Sequence, residues 1–324
     1  MITIVTYSQV PPSNRAIALG NFDGLHRGHQ CVILPILTYK SKNIKTAVVT
    51  FIPHPQEFFT GEKKKLLTPL EEKAKILGQL GVEELILLPF DRELASLTPQ
   101  QFVADVLHRE IGAVFVSVGE DFRFGYRRQG KAKDLENIAK RYGIEVNITP
   151  EQSIVLHGEK RRISSSFIRE CLLEGRVEIA REMLGREYQI QGRVIEGKKL
   201  GRQIGFPTAN LEIPPDKFLP RYGVYQAMVE LPFPLNGRGQ AHNNNSSIVA
   251  VVNIGKRPTV DGETVTIEVH IPNWYGDLYG EILNVRLMHF IRDEKKFTSL
   301  EELKKQIAND CKTVLDNYFL MSPS

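Results

Sequence analysis

Two unlike domains in tandem are predicted: a parallel-sheet α/β domain, then an all-β barrel or sandwich followed by a C-terminal helix. Three features predict them. Up to about residue 148, short β-branched runs alternate with helix-like segments, the order that βαβ units impose on a parallel sheet. From Tyr188 onward, strand-like runs follow one another with Gly, Pro and Asn clusters between them and almost no helical periodicity. A capping sequence at Thr298 then opens a last amphipathic stretch. The chain has 324 residues, enough for two domains at roughly 150 residues each.

In chain order, the parallel-sheet strands are expected at Ala16–Leu19, Ala47–Phe51, Leu85–Leu88, Val114–Val118 and Glu145–Ile148. Two helix starts are well marked. Thr68-Pro69-Leu70-Glu71 and Thr98-Pro99-Gln100-Gln101 each offer a capping hydroxyl, a proline at the first helical position and a Glu or Gln able to bond back. Gly81 is a natural stop for the first of these helices. After Ser164 a helical pattern runs through Ile168, Leu172, Ala180 and Leu184 and ends near Gly185. The later strands are expected at Gln189–Ile195, Val224–Glu230, Ser247–Ile254, Thr264–Ile271 and Ile282–Ile291. The capping box Thr298-Ser299-Leu300-Glu301 starts a helix that should lay Leu303, Ile307, Val314 and Phe319 on the barrel. The boundary falls near 184–188, dividing residues 1–184 from 185–324. Leu235–Ser247, with three consecutive asparagines at 243 to 245, reads as a long polar hairpin loop.

Composition narrows the function. With 42 basic and 38 acidic residues the net charge is +4, too mild to argue nucleic-acid binding. The longest apolar runs, Leu85–Phe90 and Ile248–Val252, fall far short of the roughly 18 residues a membrane helix needs. Met1 to Val10 lacks the basic start and apolar run of a signal peptide, so a cytoplasmic protein is expected. Cys31, Cys171 and Cys311 are odd in number and scattered, which fits reduced, mostly buried thiols. A homo-oligomer is left open.

The first chemical cluster follows the first strand: Gly20-Asn21-Phe22-Asp23-Gly24-Leu25-His26-Arg27-Gly28-His29, then a helix through Val32, Leu34, Ile36 and Leu37. Glycines at a strand-to-helix turn let the backbone approach a ligand, and the free amides of the helix start favour phosphate. His26 and His29, three residues apart, can both donate to one anion. A structural cap is the bland alternative. A zinc site with Cys31 is another, disfavoured because Cys31 lies off that helical face.

This cluster resembles the GxFDGxHxGH signature of nucleotidyltransferases, specifically the bacterial bifunctional FAD synthetases that combine riboflavin kinase with FMN adenylyltransferase. Phe51-Ile52-Pro53-His54-Pro55 resembles that family's FxPHP turn, and Gly119-Glu120-Asp121-Phe122-Arg123-Phe124-Gly125 its GxDFxFG loop. Ile163-Ser164-Ser165-Ser166-Phe167-Ile168-Arg169 resembles its SSTxIR segment, with Ser166 where threonine is usual. The resemblance implies that Gly20, Phe22, Asp23, His26, His29, Ser164, Ser165 and Arg169 bind ATP. It implies that Asp121, Phe122 and Phe124 line the flavin side, and that His26 and His29 stabilise the charge developing during adenylyl transfer. Asp23 as a helix cap, Phe122 as a core aromatic and His54 as a rigid turn stay open as alternatives.

The second cluster, Gly192 to Asn210, joins a strand to a basic, glycine-broken loop. No GxxxxGK followed by Ser or Thr occurs, so phosphoryl transfer here needs a cradle other than the P-loop. Gly205–Asn210 resembles the GxPTAN motif of riboflavin kinases. Gly223-Val224-Tyr225, Asn253 to Thr259, Glu268-Val269-His270, Gly276 to Gly280, and Arg292 with Lys296-Phe297 match later landmarks of that family. The resemblance implies a six-stranded split barrel and places Gly197, Lys198, Gly205, Thr208 and Asn210 on ATP. It gives Thr208 and Asn210 as Mg2+ ligands, Glu268 as general base and Arg292 as a flavin contact.

The expected fold is thus a nucleotidyltransferase-type α/β domain followed by a split barrel with a C-terminal helix. The expected enzyme phosphorylates riboflavin to FMN and adenylylates FMN to FAD, using Mg2+ and ATP. The rival readings are a single-activity enzyme with one degenerate domain and a non-catalytic flavin- or nucleotide-binding regulator. No nucleic-acid or membrane partner is expected.

Overall fold

A computed structural model describes residues 2–42, 44–197, 201, 204–231, 247–259 and 262–321. Lys198 and the asparagine-rich stretch up to residue 246 lie outside the described residues. The chain divides into two compact units, Met1–Phe167 and Ile168–Ser324.

The strands of the first unit are β1 (Thr3–Thr6), β2 (Arg15–Leu19), β3 (Lys45–Ile52), β4 (Glu84–Pro89), β5 (Ala113–Gly119), β6 (Arg123–Phe124), β7 (Gly130–Lys131), β8 (Glu145–Thr149), β9 (Ser153–Leu156) and β10 (Glu159–Arg162). Six form one parallel sheet of order β1-β4-β3-β2-β5-β8. The helices are α1 (Arg27–Leu37), α2 (Pro55–Thr60), α3 (Leu70–Leu80), α4 (Arg92–Ser96), α5 (Pro99–Gln101), α6 (Ala132–Ala139) and α7 (Ser165–Leu173), the last straddling the division. Every β2 side chain is buried, because helices cover both faces of the sheet. Ala16 and Ala18 face a core that includes Val32, Ile33 and Ile36 of α1 and Leu77 of α3. Ile17 and Leu19 face the opposite core with Val103, Leu107 and Leu135. The edge strand β1 was not expected, since four mostly exposed residues leave no burial pattern to read.

The two proline-marked helix starts differ. Thr98 forms the expected capping box with Gln101, but the helix then widens into π geometry over Phe102–Glu110. Thr68 does not cap α3. Its hydroxyl accepts instead from the Gly24 amide at 2.9 Å, and α3 starts from Pro69 without a side-chain cap.

In the second unit, α8 (Val177–Leu184) follows α7, and six antiparallel strands close a barrel of order β11-β12-β15-β14-β13-β16. These are β11 (Tyr188–Ile195), β12 (Thr208–Glu212), β13 (Gly223–Glu230), β14 (Ser247–Thr259), β15 (Gly262–His270) and β16 (Ile282–Asp293). β12 is a further difference, because the second half of the motif expected to be loop, Thr208 to Asn210, lies in a strand. Contact density places the line between units earlier than the change in sequence texture does. The cause is that α8 packs on the barrel, where Glu178 holds His289 of β16 at 2.6 Å. The last helix, α9 (Leu300–Met321), is capped by Ser299, whose hydroxyl accepts from the Glu302 amide at 3.2 Å. The cap is thus one residue later than expected. Ile307 and Val314 of α9 pack on Val224, Val249 and Val251, while Phe319 is 59% exposed and Tyr318 takes the place expected for it. Arg292 of β16 fastens α9 through a bidentate pair with Asp310, at 3.0 Å from Nε and 2.6 Å from Nη2.

At the amino ends of the parallel strands, Arg15 is fully buried. It donates to Glu84 Oε2 at 2.7 Å and to the carbonyls of Ser13, Ile111 and Pro11, and Lys45 reaches the other Glu84 oxygen at 2.7 Å. Burial alone would push the Glu84 carboxyl up, but the two cations outweigh it and hold it below its usual value. Glu84→Gln leaves the Arg15 guanidinium short of its counter-ion and should destabilise the first unit by about 3–5 kcal/mol, read by denaturant unfolding. A depressed carboxylate stabilises above its unfolded value of ~4.3 and loses that contribution as pH falls. The gap between wild type and variant should therefore narrow in acid.

Candidate active sites

The sheet order reverses between β2 and β5, and ligands of open α/β sheets bind beyond the carboxyl ends of the strands at such a point. A cleft of about 880 Å³ lies there, lined by Gly20 to Asp23, His26, Gly28 and His29 after β2 and by Gly119 to Gly125 after β5. The loop from Gly20 is tightly coiled. Phe22 (φ 48°), Gly24 (φ 88°) and Leu25 (φ 46°) all occupy the left-handed region, which costs a non-glycine residue about 1–2 kcal/mol. It persists because other elements grip it. The Thr68 amide donates to Asp23 Oδ1 at 3.2 Å, the Ser165 hydroxyl donates to the Asp23 carbonyl at 2.7 Å, and Lys73 Nζ donates to the Asn21 carbonyl at 2.7 Å.

His26 is the N-cap of α1. Its backbone is extended and its Nδ1 accepts from the His29 amide at 3.2 Å. In the neutral ring the proton therefore sits on Nε2. The His26 and His29 rings stack with centroids 3.5 Å apart, and Phe22 meets His29 edge-on at 5.4 Å. Two imidazoles and the α1 N-terminus thus converge at one end of the cleft, a donor set suited to phosphate oxygens. Among the described residues no group of three or more His, Cys, Asp or Glu side chains is disposed to hold a metal ion.

Ser164 and Ser165 both line the cleft. Ser164 Oγ caps α7 by accepting from the Phe167 amide, and Ser165 is tied to Asp23. The lining runs to Ser166, whereas Arg169 belongs to the second unit, where its guanidinium lies over the Phe218 ring at 5.5 Å. Asp121 lines the cleft and pairs with Arg162 of β10. Phe124 is a core residue, 5% exposed, stacked on the less buried Phe122 at 5.7 Å. His54 caps α2, its Nδ1 accepting from the Gln56 amide at 3.1 Å, and its Nε2 lies 3.2 Å from Lys64 Nζ, so it is both a rigid turn and part of the wall. The sequence reading passed over two features. One is an aromatic wall of Phe51, Phe59 and Phe90; the other is a cationic rim of Lys64, Arg123, Arg127, Arg128 and Arg162. The run Phe58-Phe59 and the doublet Arg127-Arg128 were the available signals.

The second site is built on barrel register. Thr208 pairs with His270, and Asn210 with Glu268, whose other neighbour is Asn253. Directly paired residues share a face, so Thr208, Asn210, Glu268 and His270 project together. Gly197 and Gly201 make close approaches here. A Cβ on Gly197 would lie 2.2 Å from Asn210 Nδ2, and one on Gly201 would lie 2.3 Å from the Phe206 carbonyl oxygen. His270 Nδ1 donates to the Pro207 carbonyl at 2.8 Å, and Phe206 meets its ring edge-on. Burial lowers the His270 pKa more than that bond raises it, which favours the neutral ring. Gly205 (φ 90°) turns the chain into β12. Arg292, expected at the flavin, is held by Asp310 and also donates to the Asp293 carbonyl.

Known proteins match this chain end to end. A family model described as FAD synthetase matches residues 8–167, and one described as riboflavin kinase matches residues 184–318. The bifunctional riboflavin kinase/FMN adenylyltransferase of Escherichia coli K12 is 38% identical over 98% of this chain and 97% of its own length. That of Haemophilus influenzae is 37% identical over 92% of each. A crystal structure from Streptococcus pneumoniae, described as a macrolide-efflux protein, superposes with a TM-score of 0.81 at 30% identity, covering 97% of this chain and 99% of its own. Among the described residues no helix is long and apolar enough to cross a membrane. Matched across both units by the two family models and by relatives of nearly equal length, this chain belongs to the bifunctional riboflavin kinase/FMN adenylyltransferase family.

Proposed function

We propose that this enzyme makes FAD from riboflavin in two ATP-consuming steps, phosphorylation to FMN and adenylylation of FMN with release of pyrophosphate. Adenylylation belongs to residues 1–184 and phosphorylation to residues 185–324. The carrying observation is that two separate anion-directed constellations are intact in one chain: stacked His26 and His29 in the switch-point cleft, and the Thr208, Asn210 and Glu268 row on the barrel. A single-activity enzyme or a mere binder would be expected to have lost one of them. Riboflavin, FMN and ATP are the partners, and three free thiols, two of them buried, fit a reducing cytoplasm.

In adenylylation the FMN phosphate attacks the α-phosphorus of ATP in line, and pyrophosphate departs. The His26 Nε2 proton, the His29 ring and the α1 amides donate to the oxygens on which charge grows. Gly20, Phe22 and Asp23 shape the nucleotide side beside Ser164 and Ser165, and the family resemblance alone assigns Arg169 to the triphosphate, since its guanidinium lies over the Phe218 ring. Asp121, Phe122 and Phe124 form the flavin side.

In phosphorylation Glu268 accepts the proton of the ribityl 5′-hydroxyl as that oxygen attacks the γ-phosphorus of ATP, the bond to the β–γ bridging oxygen breaks and ADP departs. Gly197, Lys198 and Gly205 bind the nucleotide with Thr208 and Asn210, and Arg292 keeps the flavin side in place by fixing α9. The hydroxyl of Thr208 and the side-chain carbonyl of Asn210 are hard oxygen donors, and the close wrap of Gly197 on Asn210 leaves a snug cradle, so these residues fit Mg2+. When bound, the ion neutralises phosphate charge.

Incubating the protein with riboflavin and Mg-ATP and separating the flavins tests the reading: FMN and then FAD should accumulate, with one pyrophosphate per FAD. His29→Ala should lower adenylylation of FMN by ~10²–10³, the usual loss on removing one charge-stabilising donor, while FMN formation persists. A near-normal rate in the folded variant would return His29 to a packing role. Glu268→Gln should lower riboflavin phosphorylation by ~10²–10⁴ with little change in the KM for Mg-ATP, and leave adenylylation intact. A loss explained wholly by weaker Mg-ATP binding would make Glu268 a nucleotide or metal ligand instead.

A further inference from the structure

Lys73 is a buried charge that neither reaction step above uses. It lies on the inner face of α3, 6% exposed. Its Nζ donates to the Asn21 carbonyl at 2.7 Å and lies 3.5 Å from Thr50 Oγ1, which itself donates to the same carbonyl at 3.2 Å. Asn21 lines the cleft; Lys73 and Thr50 stand behind it. The Asn21 side-chain oxygen is buried without a hydrogen-bond partner, whereas its main-chain carbonyl takes two donors, Lys73 and Thr50.

We propose that Lys73 is a positioning residue for adenylylation: its ammonium pins the Asn21 carbonyl away from the cleft, so that the strained turn through Phe22 and Leu25 presents His26, His29 and the α1 amides to the two phosphates. This rests on assigning the cleft to adenylyl transfer. An apolar side chain would fill the site without the cost of burying an ammonium, and α3 otherwise contributes Ala74 and Leu77 to a hydrophobic core there. What the ammonium adds is a strong, directed bond to a carbonyl whose peptide precedes two left-handed residues. It also places a positive charge one residue behind a site that must bring two anionic phosphates together.

Burial lowers the Lys73 pKa to about 8, with Asp23 of the loop opposing the shift in part. From β3 it faces the hydroxyl of Thr50, which does not titrate, and the charged group facing it from the loop is Asp23. A lysine with a lowered pKa is charged below that value and neutral above it. Adenylylation should therefore weaken as pH rises through about 8.

The test is Lys73→Met in the full-length chain, assayed for both activities against wild type. The expected result is a fall of ~10² in kcat for FMN adenylylation, as for a misplacement near 1 Å, with riboflavin phosphorylation within twofold of wild type. The pH profile of kcat/KM, which reports the free enzyme, should fall above about pH 8 in wild type and run flat there in the variant. Normal adenylylation by Lys73→Met, or an alkaline limb unchanged by the substitution, overturns the proposal. Hydrogen exchange on α3 reports whether the first unit of the variant has folded. If it has not, the wild-type profile decides, because a profile flat from pH 7 to 9.5 overturns the role by itself. Wild type that makes FMN but never FAD would instead overturn the assignment of the cleft.

Discussion

The turn that leaves β2 cannot hold its own shape. Phe22 and Leu25 sit where L side chains are strained, and a strained backbone survives only when its surroundings over-determine it. Here the surroundings come from four places in the sequence. Thr50 and Lys73 hold the Asn21 carbonyl, Thr68 holds Asp23 and Gly24, and Ser165 holds the Asp23 carbonyl. Only with that turn fixed does His26 arrive as the N-cap of α1, lock its own tautomer on the His29 amide and stack on the His29 ring. The donor set of the cleft is therefore a consequence of long-range hydrogen bonds, and the serines named as ATP ligands are part of the same scaffold.

The parallel sheet separates stability from chemistry by its two ends. At the amino ends of β2, β3 and β4, Arg15, Lys45 and Glu84 form a charge cluster whose ions are paired or capped by carbonyls. At the carboxyl ends lie the strained turn, the exposed amides and the cationic rim of the cleft. Satisfied charge at one end contributes to folding. At the other end, imidazoles, backbone amides and cations line the cleft, at the place where open α/β sheets take their ligands.

The barrel solves a similar problem by register instead of by strand ends. Cross-strand pairing places Thr208 and Asn210 beside His270 and Glu268, and Gly197 approaches Asn210 at a distance no Cβ would permit. Its stability comes from a different device again, the Arg292 to Asp310 pair that ties α9 across the outer face over Val224 and Val251.

Sequence alone determined the class of each half, since the change from helix-strand alternation to strand succession reflects which surfaces must be buried. Local spacing around glycines singled out His26 and His29 at a helix start, which is legible without a fold, whereas Thr208 and Asn210 were singled out by resemblance to a riboflavin kinase motif. Sequence alone misjudged what depends on distant partners. Thr68 reads as a helix cap but serves the Gly24 amide 44 residues away. Phe319 continues a helical stripe but turns to solvent, and the PTAN segment reads as loop but becomes β12 because β11 and β15 offer it two ladders. Lys73 reads as one more charge in Glu71-Glu72-Lys73, an ordinary solvated helix face. Only tertiary packing could decide that this ammonium is buried behind the Asn21 carbonyl, because its hydrogen-bond partner is 52 residues distant and its burial is set by the sheet against which α3 lies.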